Sequence, residues 1–285
     1  PIGAAPGLYV PPRLNEHANC AIFLLRGPPR ELYPMYHNEV VPRLRALSGI
    51  ETFNDAIELK FAGIGESDFH QGIDARLSEV PGLEYGYCAH MGEVDLRLIG
   101  NADALKTGRA IALEAFAPNL VSEDGSSMER TVVRLLAEKN WKLATAESCT
   151  GGLISNRITN VPGSSNVFTH GFVTYANEAK VELLGVLQDD LTQHGAVSEP
   201  VAIQMGKGAL ASGGADIAVA ITGIAGPSGG SEEKPVGTAW IAVATKEGFL
   251  RAFRVYHPRK RKDFKQAASQ SALDAVRKLL AGIPF

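Results

Sequence analysis

From Trp141 to the end of the chain, short apolar runs alternate with stretches whose apolar residues recur at helical spacing. Leu143 to Ala146 reads as a buried strand, Leu153 to Val161 as a helix, Val167 to Tyr175 as a strand, and Glu178 to Leu184 as a helix capped by Asn177. Ser198-Glu199-Pro200 opens a further helix with Val201, Met205 and Ala209 on one stripe. Ala215 to Ile221 and Thr238 to Ala244 read as strands buried on both faces, Leu250 to Tyr256 as an edge strand, and Phe264 to Leu280 as a closing helix. Helices interleaved with buried strands predict an α/β fold, here a three-layer α/β/α domain over 128–285 whose first helix carries Met128, Val132, Leu135 and Leu136 on its apolar stripe.

The front of the chain has a different rhythm. Residues 44–118 predict a small α+β domain: strands at Ala56–Phe61, Leu83–Cys88 and Val94–Ile99, and helices at Glu66–Glu79 and Asp103–Phe116. Residues 119–127 are polar and turn-rich, and predict a linker ending in serines suited to capping the next helix. Residues 1–43 hold a turn at 1–7, one short strand at Cys20–Leu25, and a helix after Arg26-Gly-Pro-Pro-Arg30 with Pro34 in an early turn. One strand and one helix do not close a core, so this stretch reads as the end of another domain.

Composition narrows the function. Lys plus Arg number 28 against 31 for Asp plus Glu, so no broad field favours nucleic acid and any anion site is local. No apolar run approaches the ~20 residues of a membrane helix. Cys20, Cys88 and Cys149 are scattered without metal spacing, which points to a reducing compartment, the cytoplasm, and to no metal. His70 and His90 likewise lack a second metal-type residue at helical or turn spacing. The chain opens at proline, and the natural product is expected to begin further upstream.

Three clusters carry candidate chemistry, each at a strand end. Thr145-Ala-Glu-Ser-Cys-Thr-Gly-Gly152 offers Ser148 as a nucleophile beside unpaired amides, with Gly151 and Gly152 clearing space for a substrate and Thr150 counted with them as substrate-binding. Helix capping is the alternative role for Ser148, and Cys149 is the competing nucleophile. Tyr175-Ala-Asn-Glu-Ala-Lys180 offers a phenol and an amine; Lys180 sits in a helix's first turn, where the dipole lowers an amine's pKa towards that of a general base, and the alternative roles are a solvated helix lysine and a core tyrosine with its hydroxyl satisfied. Thr222-Gly223-Ile-Ala-Gly226-Pro-Ser-Gly229-Gly230-Ser231 is dense enough in glycine to cradle an anion, and Lys234 supplies charge. It has neither the lysine-serine pair of a P-loop nor a GxGxxG entering a helix, so neither ATP nor a dinucleotide is indicated. Arg259-Lys-Arg-Lys262 is a solvated basic run or the source of one phosphate contact.

TAESCTGG at 145–152, GFVTYANEAK at 171–180, HGAVSEP at 194–200 and TGIAGPSGGSEEKPVGT at 222–238 resemble, in order, the C-terminal domain of the CinA (competence/damage-inducible) family. That domain also occurs alone as nicotinamide-nucleotide amidase. The resemblance implies deamidation of nicotinamide mononucleotide with Ser148 as nucleophile, Lys180 as base and Tyr175 assisting. It places the nucleotide at the glycine loop around Thr222, with Arg261 or Lys260 in place of a phosphate-contacting arginine. It implies no cofactor, a small nucleotide substrate and a homodimer. GAAPG at 3–7 and RGPPRELYPM at 26–35 resemble the end of the family's molybdopterin-binding-like domain, and the segment to 118 its middle domain. The residues that the family would use for ADP-ribose hydrolysis lie outside this sequence, which leaves a pyrophosphatase activity of this chain unsupported. A nucleotide-binding module without amidase activity is the rival reading.

Overall fold

The computed structural model describes residues 6–12, 20–48 and 55–285, so most of the turn expected at 1–7 lies outside the described residues. The chain divides into two compact units, Pro1–Asn54 and Asp55–Phe285. In the first, β1 (Leu8–Val10) pairs antiparallel with β2 (Ile22–Leu24), and Tyr9 stacks on Phe23 at 4.8 Å. Helix α1 (Pro29–Met35) begins on proline, whose missing amide is harmless there, and runs through a π-helical turn at Tyr36–Val40 into α2 (Val41–Ser48).

The second unit opens with β3 (Asp55–Ala62), α3 (Glu66–Ser78), β4 (Glu84–His90), β5 (Glu93–Gly100), α4 (Ala102–Phe116) and β6 (Leu120–Ser122). The strands form an antiparallel sheet in the order β4-β5-β3-β6. Alternation along β3 and β5 sends Leu59, Phe61, Leu96 and Leu98 to one face, where they meet Phe69, Ile73 and Leu77 of α3. Strand β6 lies inside the stretch read as linker. Leu120 and Val121 are two apolar residues in a polar run, too short for a periodic signal, and pairing with β3 decides their state.

The rest of the unit comprises α5 (Met128–Lys139), β7 (Leu143–Glu147), α6 (Leu153–Thr159), β8 (Phe168–Val173), α7 (Asn177–Leu184), α8 (Gln188–His194), α9 (Glu199–Ser212), β9 (Ile217–Gly223), β10 (Thr238–Thr245), β11 (Leu250–Tyr256) and α10 (Arg261–Leu280). The sheet order is β11-β10-β9-β7-β8; β9, β7 and β8 run parallel, β10 and β11 antiparallel. Residues alternate by size as well as by face. Ile217, Val219 and Ile221 pack with α5, α6 and α10, whereas Ala218 and Ala220 pack with α9, where a side chain on Gly206 would lie 3.6 Å from Ala242 Cβ. The result is the three-layer α/β/α arrangement, with α9 held close by small residues.

Ser127 accepts a hydrogen bond from the Arg130 amide at the start of α5, as a capping serine does. Asn177, expected as a cap, is instead the first residue of α7, with Ala176 in the cap position. Helix α10 joins the larger sheet to the smaller. Gln270 donates to Glu93 of β5 at 2.8 Å, and Arg277, 2% exposed, donates to the carbonyls of Pro118 and Leu120 while pairing with Asp274. Among the described residues no helix is long and apolar enough to cross a membrane.

Candidate active site

Strands β7, β8 and β9 are parallel, so their carboxyl ends fall along one edge of the sheet, where an open α/β sheet forms its crevice. A cavity of about 190 Å³ lies there, lined by Ser148, Cys149, Tyr175, Asn177, Lys180, Ala196, Val197, Thr222, Gly223, Ala225 and Arg261.

The turn from β7 to α6 explains why Ser148 can face this cavity. Helix α6 begins at Leu153 with Gly152 in the cap position and no side-chain cap there, so Ser148 is not its cap. Glu147, fully buried, does that work: its carboxylate accepts from the amides of Ile154 and Ser155 at 3.0 and 2.8 Å and from the Ser155 hydroxyl at 2.7 Å. A carboxylate at a helix N-terminus satisfies the unpaired amides and the dipole together. Gly151 and Gly152 take φ of 62° and 89°, which a side chain would strain, and the Gly151 amide closes the turn on the Ser148 carbonyl at 3.1 Å. That amide is therefore committed and does not hold a substrate oxygen. Ser148 is 9% exposed, and among the described residues no group bonds its hydroxyl.

Lys180 is 1% exposed. Its ammonium donates to the carbonyls of Thr174 at 2.8 Å, Tyr175 at 3.3 Å and Ala176 at 3.5 Å. Burial holds its pKa below the usual lysine range, with Cys149 and Glu178 acting the other way. The three carbonyls favour the charged form, so the depression is a balance that desolvation wins. No hydrogen bond joins Lys180 to Ser148; they share the cavity wall. Nor does Tyr175 bridge them. Its hydroxyl accepts from Arg261 at 2.6 Å, and Arg261 also donates to the Gly226 carbonyl at 2.9 Å, so the phenol orients the guanidinium. Arg261, not Lys260, is the member of the basic run that reaches the cavity.

Other expected residues lie elsewhere. Thr150 is fully buried with its hydroxyl unpartnered, and Gly151, Gly152, Gly226, Gly229 and Gly230 do not line the cavity. Side chains on Gly226 and Gly230 would come 2.5 Å from Val236 Cγ1 and 2.7 Å from the Val236 nitrogen, so these glycines answer the loop's own packing. Lys234 donates to the His194 carbonyl at 2.7 Å and braces the segment that brings Ala196 and Val197 to the cavity. Thr222 does line it, and its hydroxyl is bonded to the Ala196 carbonyl at 2.8 Å.

Cys149 is 5% exposed, and burial pushes its thiol up to about 12, which removes the thiolate that a cysteine nucleophile requires. Three residues escaped the sequence reading. Glu147 was signalled by a lone charge at the end of an apolar strand. Lys265, whose ammonium lies 3.4 Å from where a Gly151 side chain would start, stands four residues after Arg261, on the same face of α10. Asn177 carried no signal apart from capping.

Fold and cavity together define an α/β protein with its pocket at the carboxyl edge of a mixed sheet and a cationic helix start at the rim. Residues 125–280 match the family model of the CinA C-terminal domain, and the chain belongs to the CinA family. A CinA-like protein of Akkermansia muciniphila is 48% identical over 281 residues, covering 97% of this chain and 67% of the relative. One from Mycobacterium marinum is 40% identical over 291 residues, covering 99% and 66%. The chain thus spans about two thirds of the length of these relatives. The crystal structure of a competence/damage inducible protein from Agrobacterium tumefaciens is similar at 42% identity and a TM-score of 0.53, covering 54% of this chain and 93% of that one.

Proposed function

We propose that this protein is an amidohydrolase acting on nicotinamide mononucleotide. The observation that carries the reading is the shared cavity wall: a serine hydroxyl that no group among the described residues bonds faces the same space as a desolvated lysine, with an arginine at the rim. In the first step the Ser148 oxygen attacks the carboxamide carbon and Lys180 takes the hydroxyl proton, leaving its contact to the Ala176 carbonyl, the longest of its three. The C–N bond then breaks, the departing nitrogen takes the proton from Lys180, and water cleaves the acyl-serine to give nicotinate mononucleotide. Arg261, held by Tyr175 and Gly226, receives the phosphate. On the same reading, residues 1–43 are the end of a molybdopterin-binding-like domain, 44–118 a middle domain and 128–285 the amidase, although the first boundary falls inside α2 and the compact units divide after Asn54. The homodimer and the cytoplasmic setting are proposed from the family resemblance and the composition.

A second reading has its own observation: all three Lys180 contacts are to carbonyls, an arrangement of a structural ammonium. It makes the cavity a nucleotide-binding module without chemistry. Ammonia release from nicotinamide mononucleotide separates the two. The amidase reading expects turnover that falls by about 10³–10⁶ in Ser148→Ala; saturable binding with no ammonia from the wild-type protein would overturn it.

A further inference from the structure

A larger cavity, about 500 Å³, lies away from Ser148, where β11 and α10 meet the turns of the smaller sheet. Its volume falls in the range of about 300–1,000 Å³ usual for small-molecule sites. Alternate residues of β11, Arg251, Phe253 and Val255, face it, and His257 just past the strand's end continues the row. Opposite, Gly63 and Gly92 turn at φ of 73° and 79°, and a side chain on Gly92 would begin 3.2 Å from Gln270 Cγ, so the second of these turns approaches α10 closely.

The charges are unequal. Arg251, Arg259 and Lys278 line the cavity against one carboxylate, Asp274, already paired with Arg277 at 2.7 Å and Lys278 at 3.2 Å. Among the described residues, Arg251 and Arg259 have no carboxylate partner. Two polar groups stand beside Arg259: His257, whose burial holds its pKa below the usual histidine range, and Ser271, which shares a hydrogen bond with it at 3.0 Å. The far end is aromatic, with Phe253 in the wall and the Arg251 guanidinium 5.2 Å over the Phe285 ring. Three residues stand between Phe253 and His257, so the aromatic and basic ends of the wall lie about 13 Å apart at the usual strand rise.

We propose that this cavity is an accessory site for a mononucleotide, its base at the Phe253 and Arg251–Phe285 end and its phosphate at Arg259. The proposal does not depend on the amidase reading. Arg259 precedes Arg261 by two residues, so one short segment presents a cation to each cavity.

The test is photolabelling of the full chain with 8-azido-adenosine monophosphate, mapped by peptide mass spectrometry, with calorimetric titration of adenosine monophosphate, adenosine and inorganic phosphate alongside. Saturable labelling of peptides containing residues 249–257 or 279–285 is expected, unchanged in Ser148→Ala. Arg259→Ala and, independently, Arg251→Ala should each weaken it by about tenfold or more, the effect of losing one charge-assisted or cation–π contact. Labelling confined to peptides around 148–180 or 222–231, affinities indifferent to both substitutions, or inorganic phosphate competing as well as the nucleotide would each overturn it.

Discussion

Two glycine-bearing turns follow neighbouring parallel strands, and they use their glycines differently. After β7, Gly151 and Gly152 let the chain reverse so that Glu147 fills the start of α6 and the Ser148 hydroxyl is left facing the cavity. After β9, Gly223 would put a side chain 2.7 Å from Ala239 Cβ, and Gly226 and Gly230 lie equally tight against Val236. The second loop is richer in glycine, yet it offers the cavity only Gly223 from that set. Glycine density therefore records what the backbone needs; a reachable side chain that no neighbour bonds marks where chemistry is available.

The largest effect is expected at Lys180, the base of the proposed reaction. Lys180→Met should lower ammonia release by about 10²–10⁴, the usual contribution of a general base, with the fold retained by circular dichroism. In the wild type the amine must be neutral to accept a proton. Its folded pKa is lowered, so kcat/KM should climb with pH and level off below the ordinary lysine value of about 10.4. The same shift has a stability sign: the unfolded chain holds this proton to higher pH than the folded one, so stability rises with pH across the window between the two values and the Met variant lacks that slope. A wild-type rate that ignores pH throughout this range would remove Lys180 from the mechanism.

Glu147→Ala tests the first turn from underneath. It leaves the buried amides of Ile154 and Ser155 unpaired, and about 1–3 kcal/mol of stability should go, measured by urea denaturation. Glu147→Gln keeps an acceptor and should recover part of it. A loss within experimental scatter for the Ala variant would mean that α6 does not rely on this carboxylate.

Much of the larger domain was legible because its strands are apolar on both faces and its helices carry stripes; Ala218 and Ala220 stand in the sequence as plainly as in the core. Helix α8 was not, since Gln188–His194 exposes most of its residues and only Leu191 is buried. Strand β6 was hidden by its polar neighbours. At the site, residue type and placement at strand ends singled out Ser148, Lys180 and Tyr175, whereas Arg261 entered only through the family resemblance, as an alternative to Lys260. Which partner each takes was not legible. The phenol bonding to Arg261 and the amine pointing to three carbonyls depend on tertiary geometry between segments far apart in the chain.

For the second loop, Gly230→Ala sharpens the contrast. The new methyl meets backbone rather than a flexible chain end, 2.7 Å from the Val236 nitrogen, so something must shift, at about 1–2 kcal/mol by urea denaturation. KM for the nucleotide should change less than about threefold, because this glycine is outside the cavity wall. A large rise in KM with stability intact would restore the loop as an anion cradle.

The smallest effect is expected next door to the serine. Cys149 lies in the same turn and touches the same cavity, so position alone does not separate the two nucleophiles. Protonation does: with its pKa pushed up to about 12, the thiol is neutral at any working pH, and Cys149→Ala should leave turnover within about threefold. The variant has a second signature. The folded chain keeps this proton to higher pH than the unfolded one, whose thiol titrates near 8.5, so wild-type stability should fall as pH rises from about 8.5 towards 12, opposite in sign to the Lys180 contribution. Cys149→Ala should flatten that fall while iodoacetamide leaves the folded wild-type thiol unmodified. Rapid alkylation of Cys149 with parallel loss of ammonia release would transfer the nucleophile's role from oxygen to sulfur.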